Sequence, residues 1–190
     1  MADDARAWLD AVEAALVARA LGRPAPAPPP ALTAAQALAG RAAVAAKFLA
    51  VGTPRTLGLA GAGALAPLLV AAQRAYAAPR ELRVFEAVPV EAARVADQLG
   101  GRVASLAEVC ACDIVVCAGP VAVRREWVRR GTLVTALDEQ VALDPALCAI
   151  AAVHGEVAPP GVTLTASLGA VAAGLVDGRT LDEIIVLLPG

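Results

Sequence analysis

A glycine-rich turn between Gly61 and Ala66 is the part of the chain whose residue types and spacing best predict chemistry. Its sequence, Gly61-Ala62-Gly63-Ala64-Leu65-Ala66, follows the short apolar run Thr56–Ala60 and leads into an alanine-rich helical pattern. This order of strand, Gly-x-Gly-x-x-Ala turn and helix is typical of sites that bind a dinucleotide. We expect Gly61 to allow the tight turn, Gly63 to let a pyrophosphate approach the backbone, and Ala66 to let the helix pack closely on the sheet.

A second feature, Glu86, extends this prediction to the nucleoside. It ends a predicted strand roughly 20–25 residues after the first glycine, where an acidic side chain accepts hydrogen bonds from the ribose hydroxyls. No arginine follows closely that would bind a 2′-phosphate, so the sequence favours NAD over NADP. A plain tight turn and a solvated strand end are the structural alternatives for the two features. The predicted cofactor-binding residues are Gly61, Gly63, Ala64, Leu65, Ala66 and Glu86.

The chain offers little sign of metal chemistry. Cys110, Cys112 and Cys117 are close in sequence, but no second paired motif or nearby histidine completes a zinc site. We therefore expect no metal, and we interpret these residues and Cys148 as ordinary thiols in a reducing compartment. His154, the only histidine, could act as a general acid or base, but the sequence identifies no partner for it and favours a structural or exposed role.

Composition narrows the class of protein. The chain has 190 residues, 58% of them hydrophobic and 3% aromatic, so one domain with a core of Ala, Val and Leu is expected, with or without a small appendage. The 16 basic and 18 acidic residues form no basic block, which argues against nucleic-acid binding. The acidic Met1–Asp4 lacks the basic region of a secretory signal, and glycines and a proline interrupt the longest apolar stretch, Leu57–Ala72. We expect no membrane span and a cytoplasmic protein.

The elements that must position the turn divide into two groups. An amphipathic helix is predicted over Asp4–Leu21, and a stiff polyproline linker over Pro24–Pro30. Thr33 is expected to cap a second helix that runs to about Ala50. The predicted domains are residues 1–23 (helix), 24–31 (linker) and 32–190 (dinucleotide-binding domain).

Beyond Pro54, strands and helices alternate. The predicted strands are Thr56–Ala60, Leu82–Glu86, a short one near Val103, Asp113–Ala118 and Thr132–Leu137. The predicted helices are Ala64–Tyr76, Val90–Leu99, Leu106–Ala111 and Arg124–Arg129. Alternating units of this length predict an α/β fold, namely a doubly wound parallel sheet of the Rossmann type with an N-terminal helical appendage.

Several segments carry a resemblance to a known family. They are Asp10–Pro26, Leu32–Ala66, Asp113–Ala118, the later Trp127 with Gly131-Thr132, Ser167–Gly169 and Gly178–Ile184 with the apolar strand to Leu188. Together they resemble the ornithine cyclodeaminase/mu-crystallin family, which includes related alanine dehydrogenases and ketimine reductases. The resemblance covers nearly the whole chain and implies an NAD-dependent oxidoreduction or cyclodeamination of an amino or imino acid.

The chain departs from the family pattern where a substrate would be held. Pro24–Pro30 replaces the strands that form most of the family's substrate domain and dimer sheet and that supply a lysine and an arginine to the substrate. Gln36-Ala37-Leu38 stands where the family has an Arg-Thr pair whose arginine grips the substrate carboxylate. Arg41 and Lys47 lie further along the helix and do not substitute position for position.

The catalytic acid is also displaced. Ungapped alignment places Gln140 where the family has an acidic catalytic residue, so Asp138 is the predicted catalytic residue after a small shift, with Glu139 as the alternative. A surface loop after a strand is, equally, where carboxylates commonly occur. Two functions stay open: an NAD-dependent enzyme of amino- or imino-acid metabolism, and a non-catalytic nucleotide-binding or partner subunit. In both cases we expect a homo- or hetero-oligomer, since the first helix needs a cover and a second chain could supply the missing half.

Overall fold

The computed structural model describes residues 2–27, 32–179 and 182–189. Its α-helices are α1 (Ala2–Ala20), α2 (Ala34–Leu49), α3 (Ala66–Tyr76), α4 (Pro89–Leu99), α5 (Leu106–Cys110), α6 (Pro145–Cys148) and α7 (Leu168–Ala172). Its strands are β1 (Thr56–Ala60), β2 (Glu81–Phe85), β3 (Arg102–Val103), β4 (Ile114–Cys117), β5 (Ala122–Val123), β6 (Leu133–Ala136), β7 (Ala142–Leu143), β8 (Ala152–His154) and β9 (Ile185–Leu187). Short 3-10 helices span Gly63–Leu65 and Arg125–Trp127.

The main sheet is parallel and has the strand order β3-β2-β1-β4-β6-β9-β8. The chain moves outward from β1 through β2 to β3 and then returns to the other side of β1 as β4, where Gly58 pairs with Val115. The strand order therefore reverses between β1 and β4, which is where open α/β sheets bind ligands. The predicted doubly wound parallel sheet is confirmed.

Each face of the sheet carries its own apolar core. Successive strand residues point to opposite faces, so Val116 joins the core that α1 to α4 and α7 cover, whereas Val115 joins the core beneath α5 and α6. Small side chains let the layers approach closely. A Cβ on Gly58 would lie 2.9 Å from Val109 Cγ1, because α5 packs directly on β1.

Helix α1 folds back onto the domain. Trp8, Leu9 and Val12 are buried against α2, where a Cβ on Gly40 would lie 2.9 Å from Val12 Cγ2. The apolar face that the sequence left without a partner is thus covered by this chain. Of the predicted linker Pro24–Pro30, residues 24–27 are exposed without regular structure, and the remainder lies outside the described residues. The division at residues 23 and 31 stays a prediction.

Several elements differ from the sequence prediction. Strands β5, β7 and β8, together with α6 and α7, were not predicted, because segments of two to five residues are too short to show a periodic pattern. Strand β9 lies within the strand to Leu188 that the family resemblance implied. The predicted helix Ala64–Tyr76 begins as a 3-10 turn, and its α-helical part starts at Ala66 with Pro67 in the first turn. The predicted helix Arg124–Arg129 is a single 3-10 turn. In the described ranges, no helix has the length and apolarity needed to cross a membrane.

Candidate functional site at the carboxyl edge of the sheet

Gly61 brings the loops after β1 and β4 into close contact. Its φ is +67°, and an added Cβ would collide with the carbonyl oxygen of Ala118 and lie 2.9 Å from Val121 Cγ2. The Gly61 amide donates to Phe85 O at 2.9 Å, which ties the turn to the end of β2 as well. Only glycine fits this position, because it alone combines a left-handed backbone with no side-chain volume.

The turn is open beside Gly63 and Ala64 and is packed against the core at Leu65 and Ala66. Gly63 has φ +48°, and a Cβ there would meet no atom of the described ranges within 4 Å. Ala64 is exposed, Leu65 packs partly on the core, and Ala66 is fully buried at the beginning of α3. The turn therefore presents an unobstructed strip of backbone beside Gly63, while Ala66 lets the helix lie close to the sheet.

Glu86 reaches this strip from the end of β2. Its Oε1 accepts a hydrogen bond from the Gly63 amide at 2.8 Å. Among the described residues, its second oxygen, Oε2, receives no hydrogen bond. A carboxylate oxygen thus occupies a backbone donor of the turn, which identifies the Gly63 amide as a position suited to an anionic oxygen.

Asp138 lies at the end of β6 and joins two loops. Its Oδ2 accepts from the Gly119 amide at 2.8 Å and its Oδ1 from the Gln140 amide at 2.9 Å. Both oxygens are therefore engaged by backbone donors, an arrangement that positions the loop after β4 against the loop after β6. Glu139 and Gln140 are exposed. A catalytic role for Asp138 stays a prediction.

Gln36, at the position where the resemblance implies a carboxylate-binding arginine, serves as a helix cap. Its side-chain Oε1 accepts a hydrogen bond from the backbone amide of Thr33 at 2.9 Å, and its backbone amide donates one to Thr33 Oγ1 at 3.1 Å. This reciprocal pair is a capping box, which satisfies free amides at the beginning of α2. The cap could be recognised in the sequence from the Thr-x-x-Gln spacing.

The two cations further along α2 are also engaged. Arg41 donates to Leu188 O at 2.8 Å, and Lys47 Nζ lies 2.7 Å from Glu13 Oε2. Burial lowers the pKa of Arg41, and the nearby Glu156 acts in the opposite direction. Neither side chain therefore projects as a free clamp for a substrate.

His154 and the cysteines are mostly buried. His154 is 1% exposed in β8, its Nδ1 has no hydrogen-bond partner among the residues that the structure describes, and burial lowers its pKa. Burial raises the pKa of Cys110 to about 12 and that of Cys112 to about 11, and it raises the pKa of Cys117 as well. These thiols are protonated at neutral pH. In the described part of the chain, no cluster of three or more His, Cys, Asp or Glu side chains could hold a metal ion.

A cavity of about 1050 Å³ opens beside Asp138, and sequence reasoning missed it. Its walls come from the ends of β6 and β9, from β7 and α6, and from residues 157–163. Pro159-Pro160-Gly161 predicts a loop there, but no local pattern predicts that the loop encloses a cavity.

Comparisons with known proteins place this geometry in context. A sequence model described as the ornithine cyclodeaminase/mu-crystallin family matches residues 29–189. No curated protein matches the chain significantly.

Solved structures show the same fold. An archaeal alanine dehydrogenase dimer with bound NAD is 20% identical with a TM-score of 0.83, over 99% of this chain and 85% of that one. A Δ(1)-pyrroline-2-carboxylate reductase from Thermococcus litoralis, in complex with NADH and L-proline, is 21% identical with a TM-score of 0.71, over 82% and 59%. A probable ornithine cyclodeaminase from Bordetella pertussis Tohama I is 28% identical with a TM-score of 0.68, over 82% and 60%. The chain thus spans about three fifths of the length of the latter two.

Proposed function

The chain belongs to the ornithine cyclodeaminase/mu-crystallin family, and from that premise we propose that it binds NAD(H) at the turn Gly61–Ala66 and acts in the oxidoreduction or cyclodeamination of an amino or imino compound. The observation that carries the proposal is the hydrogen bond from the Gly63 amide to Glu86. In this bond a backbone donor of the turn already binds an anionic oxygen. The space beside Gly63 is open, because an added Cβ there would contact none of the described atoms within 4 Å. These residues fit a dinucleotide.

In this proposal each residue has a separate task. The Ala64 amide and the Gly63 amide, which then exchanges Glu86 for a phosphate oxygen, bind the pyrophosphate, and Gly61 holds the turn against the loop after β4. Glu86 accepts hydrogen bonds from the adenosine ribose and repels a 2′-phosphate, so NAD is preferred to NADP. When bound, the nicotinamide supplies or accepts a hydride. Asp138 keeps the loops after β4 and β6 in register beside the reacting groups.

The non-catalytic alternative also rests on specific contacts. Gln36 is engaged in a helix cap, and both oxygens of Asp138 accept backbone hydrogen bonds. Because these side chains are already hydrogen-bonded, the chain could bind the dinucleotide and act as a partner subunit. The second chain of a homo- or hetero-oligomer would then complete the substrate site. A neighbouring gene that encodes a full-length relative or the missing sheet domain would favour this alternative.

NADH titration followed by nicotinamide fluorescence tests the binding proposal. We expect saturable binding, and absence of binding at millimolar NADH would refute it. Glu86→Ala should reduce the preference for NADH over NADPH by about tenfold, the value of one hydrogen bond to a charged group. The ratio of the two dissociation constants is the informative quantity, because release of the Gly63 amide affects both cofactors alike. The matched control is Glu91→Ala, an exposed residue of α4.

A screen of amino and imino acids, and of amines and imines that lack a carboxylate, for cofactor turnover then separates the two candidates. Turnover by the chain alone favours the enzyme. Turnover that appears only with a full-length relative, and exceeds the turnover of that relative alone, favours the partner subunit, and absence of turnover in both formats excludes the enzymatic candidate.

A further inference from the structure

A set of contacts links the glycine turn to the cavity beside Asp138. The Gly61 carbonyl oxygen would lie 3.8 Å from a Cβ added to Gly119. The Gly119 amide donates to Asp138 Oδ2 at 2.8 Å. Asp138 and Ala136 in turn line the cavity of about 1050 Å³. The carboxyl ends of β1, β4 and β6, where parallel sheets bind ligands, therefore lead from the turn to this cavity.

The charges that line the cavity are acidic. Within the described ranges, Asp138 and Glu139 are its carboxylates, and no lysine or arginine lines it. Arg41 reaches Leu188 O from α2, but its side chain does not form part of the wall. The apolar part of the wall consists of Val141, Leu143, Val157, Pro159, Pro160, Val162 and neighbouring small residues.

This lining disfavours an amino-acid carboxylate. Such a group needs a cation, and arginine is the usual partner because it forms two parallel hydrogen bonds. In this cavity the carboxylate would instead face two charges of its own sign. A protonated amine or imine carries the opposite charge, and its apolar substituents match the remaining wall. The volume of about 1050 Å³ slightly exceeds the range of about 300–1,000 Å³ found for ligand sites, which leaves room for substituents larger than those of a small amino acid.

We infer that this cavity is the substrate site of the proposed function and that it selects a cationic amine or imine with apolar substituents and no carboxylate. The inference rests on the proposed function for the identity of the site. The selectivity follows from the cavity's own residues and is tested without cofactor turnover.

The test compares two ligands with one ring, 2-methylpyrrolidine and L-proline, which differ by a methyl group in place of a carboxylate. Binding to the full chain is measured by calorimetry and by saturation-transfer NMR, with and without NADH. We expect 2-methylpyrrolidine to bind at least tenfold more tightly. At an effective dielectric constant of about 20, two unit charges at the separation of an ordinary ion pair, about 4 Å, change affinity by more than that factor.

Variants that change the charge of Glu139 test whether this residue causes the preference for the cationic ligand. Glu139→Gln should weaken binding of 2-methylpyrrolidine severalfold, and Glu139→Arg should reverse the preference in favour of L-proline. Glu126→Gln is the matched control, because Glu126 is exposed and lies outside the cavity wall, and it should change neither affinity. Ala149→Trp should weaken binding severalfold by narrowing the cavity, with circular dichroism as the check that the variant folds.

Three results would overturn the inference. One is equal or tighter binding of L-proline to the unmodified chain, above all if Arg41→Gln then removes it, since this would assign the carboxylate to Arg41. Another is unchanged binding of 2-methylpyrrolidine in Ala149→Trp. The third is absence of binding by both ligands at high millimolar concentration. Failure of the NADH titration would instead refute the proposed function, so the two failures are distinguishable.

Discussion

Alanine at Gly61 or at Gly63 should damage the protein in two different ways. Both glycines have positive φ, which costs alanine about 1–2 kcal/mol. At Gly61 the new methyl also collides with Ala118 O and Val121, and overpacking of this kind adds about 1–3 kcal/mol. At Gly63 the methyl enters open space. Gly61→Ala should therefore lower the free energy of unfolding by about 2–5 kcal/mol, and Gly63→Ala by only about 1–2 kcal/mol.

Cofactor affinity should show the opposite order. The methyl of Gly63→Ala projects over the backbone strip where we place the pyrophosphate, so NADH affinity should fall by tenfold or more although most stability is retained. Urea unfolding followed by far-ultraviolet circular dichroism gives the stabilities, and NADH titration gives the affinities. Equal loss of stability in the two variants would refute the argument from close packing. Undiminished NADH binding by Gly63→Ala would refute the placement of the pyrophosphate.

Three further outcomes follow from individual contacts. Trp8→Ala should destabilise the protein by about 3 kcal/mol in urea unfolding, because Trp8 of α1 is buried against α2, and a negligible change would mean that α1 is not docked in solution. Burial raises the pKa of Asp113, but hydrogen bonds from the Arg55 and Thr56 amides outweigh it, so the pKa lies below its ordinary value. Asp113 thus stabilises the fold above about pH 4, and this contribution is lost as the pH falls through its folded pKa. Asp113→Asn should therefore lower the free energy of unfolding by about 1–2 kcal/mol at pH 7 and by less in acid. An equal loss of stability at pH 3 would contradict the assignment. Cys148, the half-buried thiol, should react with a thiol reagent in the folded protein well before the other three cysteines, as peptide mapping would show.

Local signals predicted much of the fold. The strands of the first Rossmann half and their helices appear close to their expected bounds, because their apolar runs are long enough to show a period and glycines or prolines end them. The Thr33 cap follows from the same short-range chemistry. Beyond residue 120 the elements shorten to two to five residues, and β5, β7, β8, α6 and α7 have no such pattern. These elements are stabilised by contacts with segments that are distant in the sequence. A pattern read over a few neighbouring residues cannot reveal such contacts.

The glycine turn, the acidic residue after β2 and the family could be predicted from the order of residues alone, since each depends on residue types at fixed short spacing. How these residues are used follows from the three-dimensional packing. The structure shows that Glu86 bonds Gly63 across 23 residues, that Asp138 bonds Gly119 across 19, and that Gln36 caps a helix. The cavity likewise combines walls from residue 136 to residue 189. The physical reason is that a side chain's partners are set by how the layers pack, and packing brings together residues whose separation along the chain carries no signal of their contact.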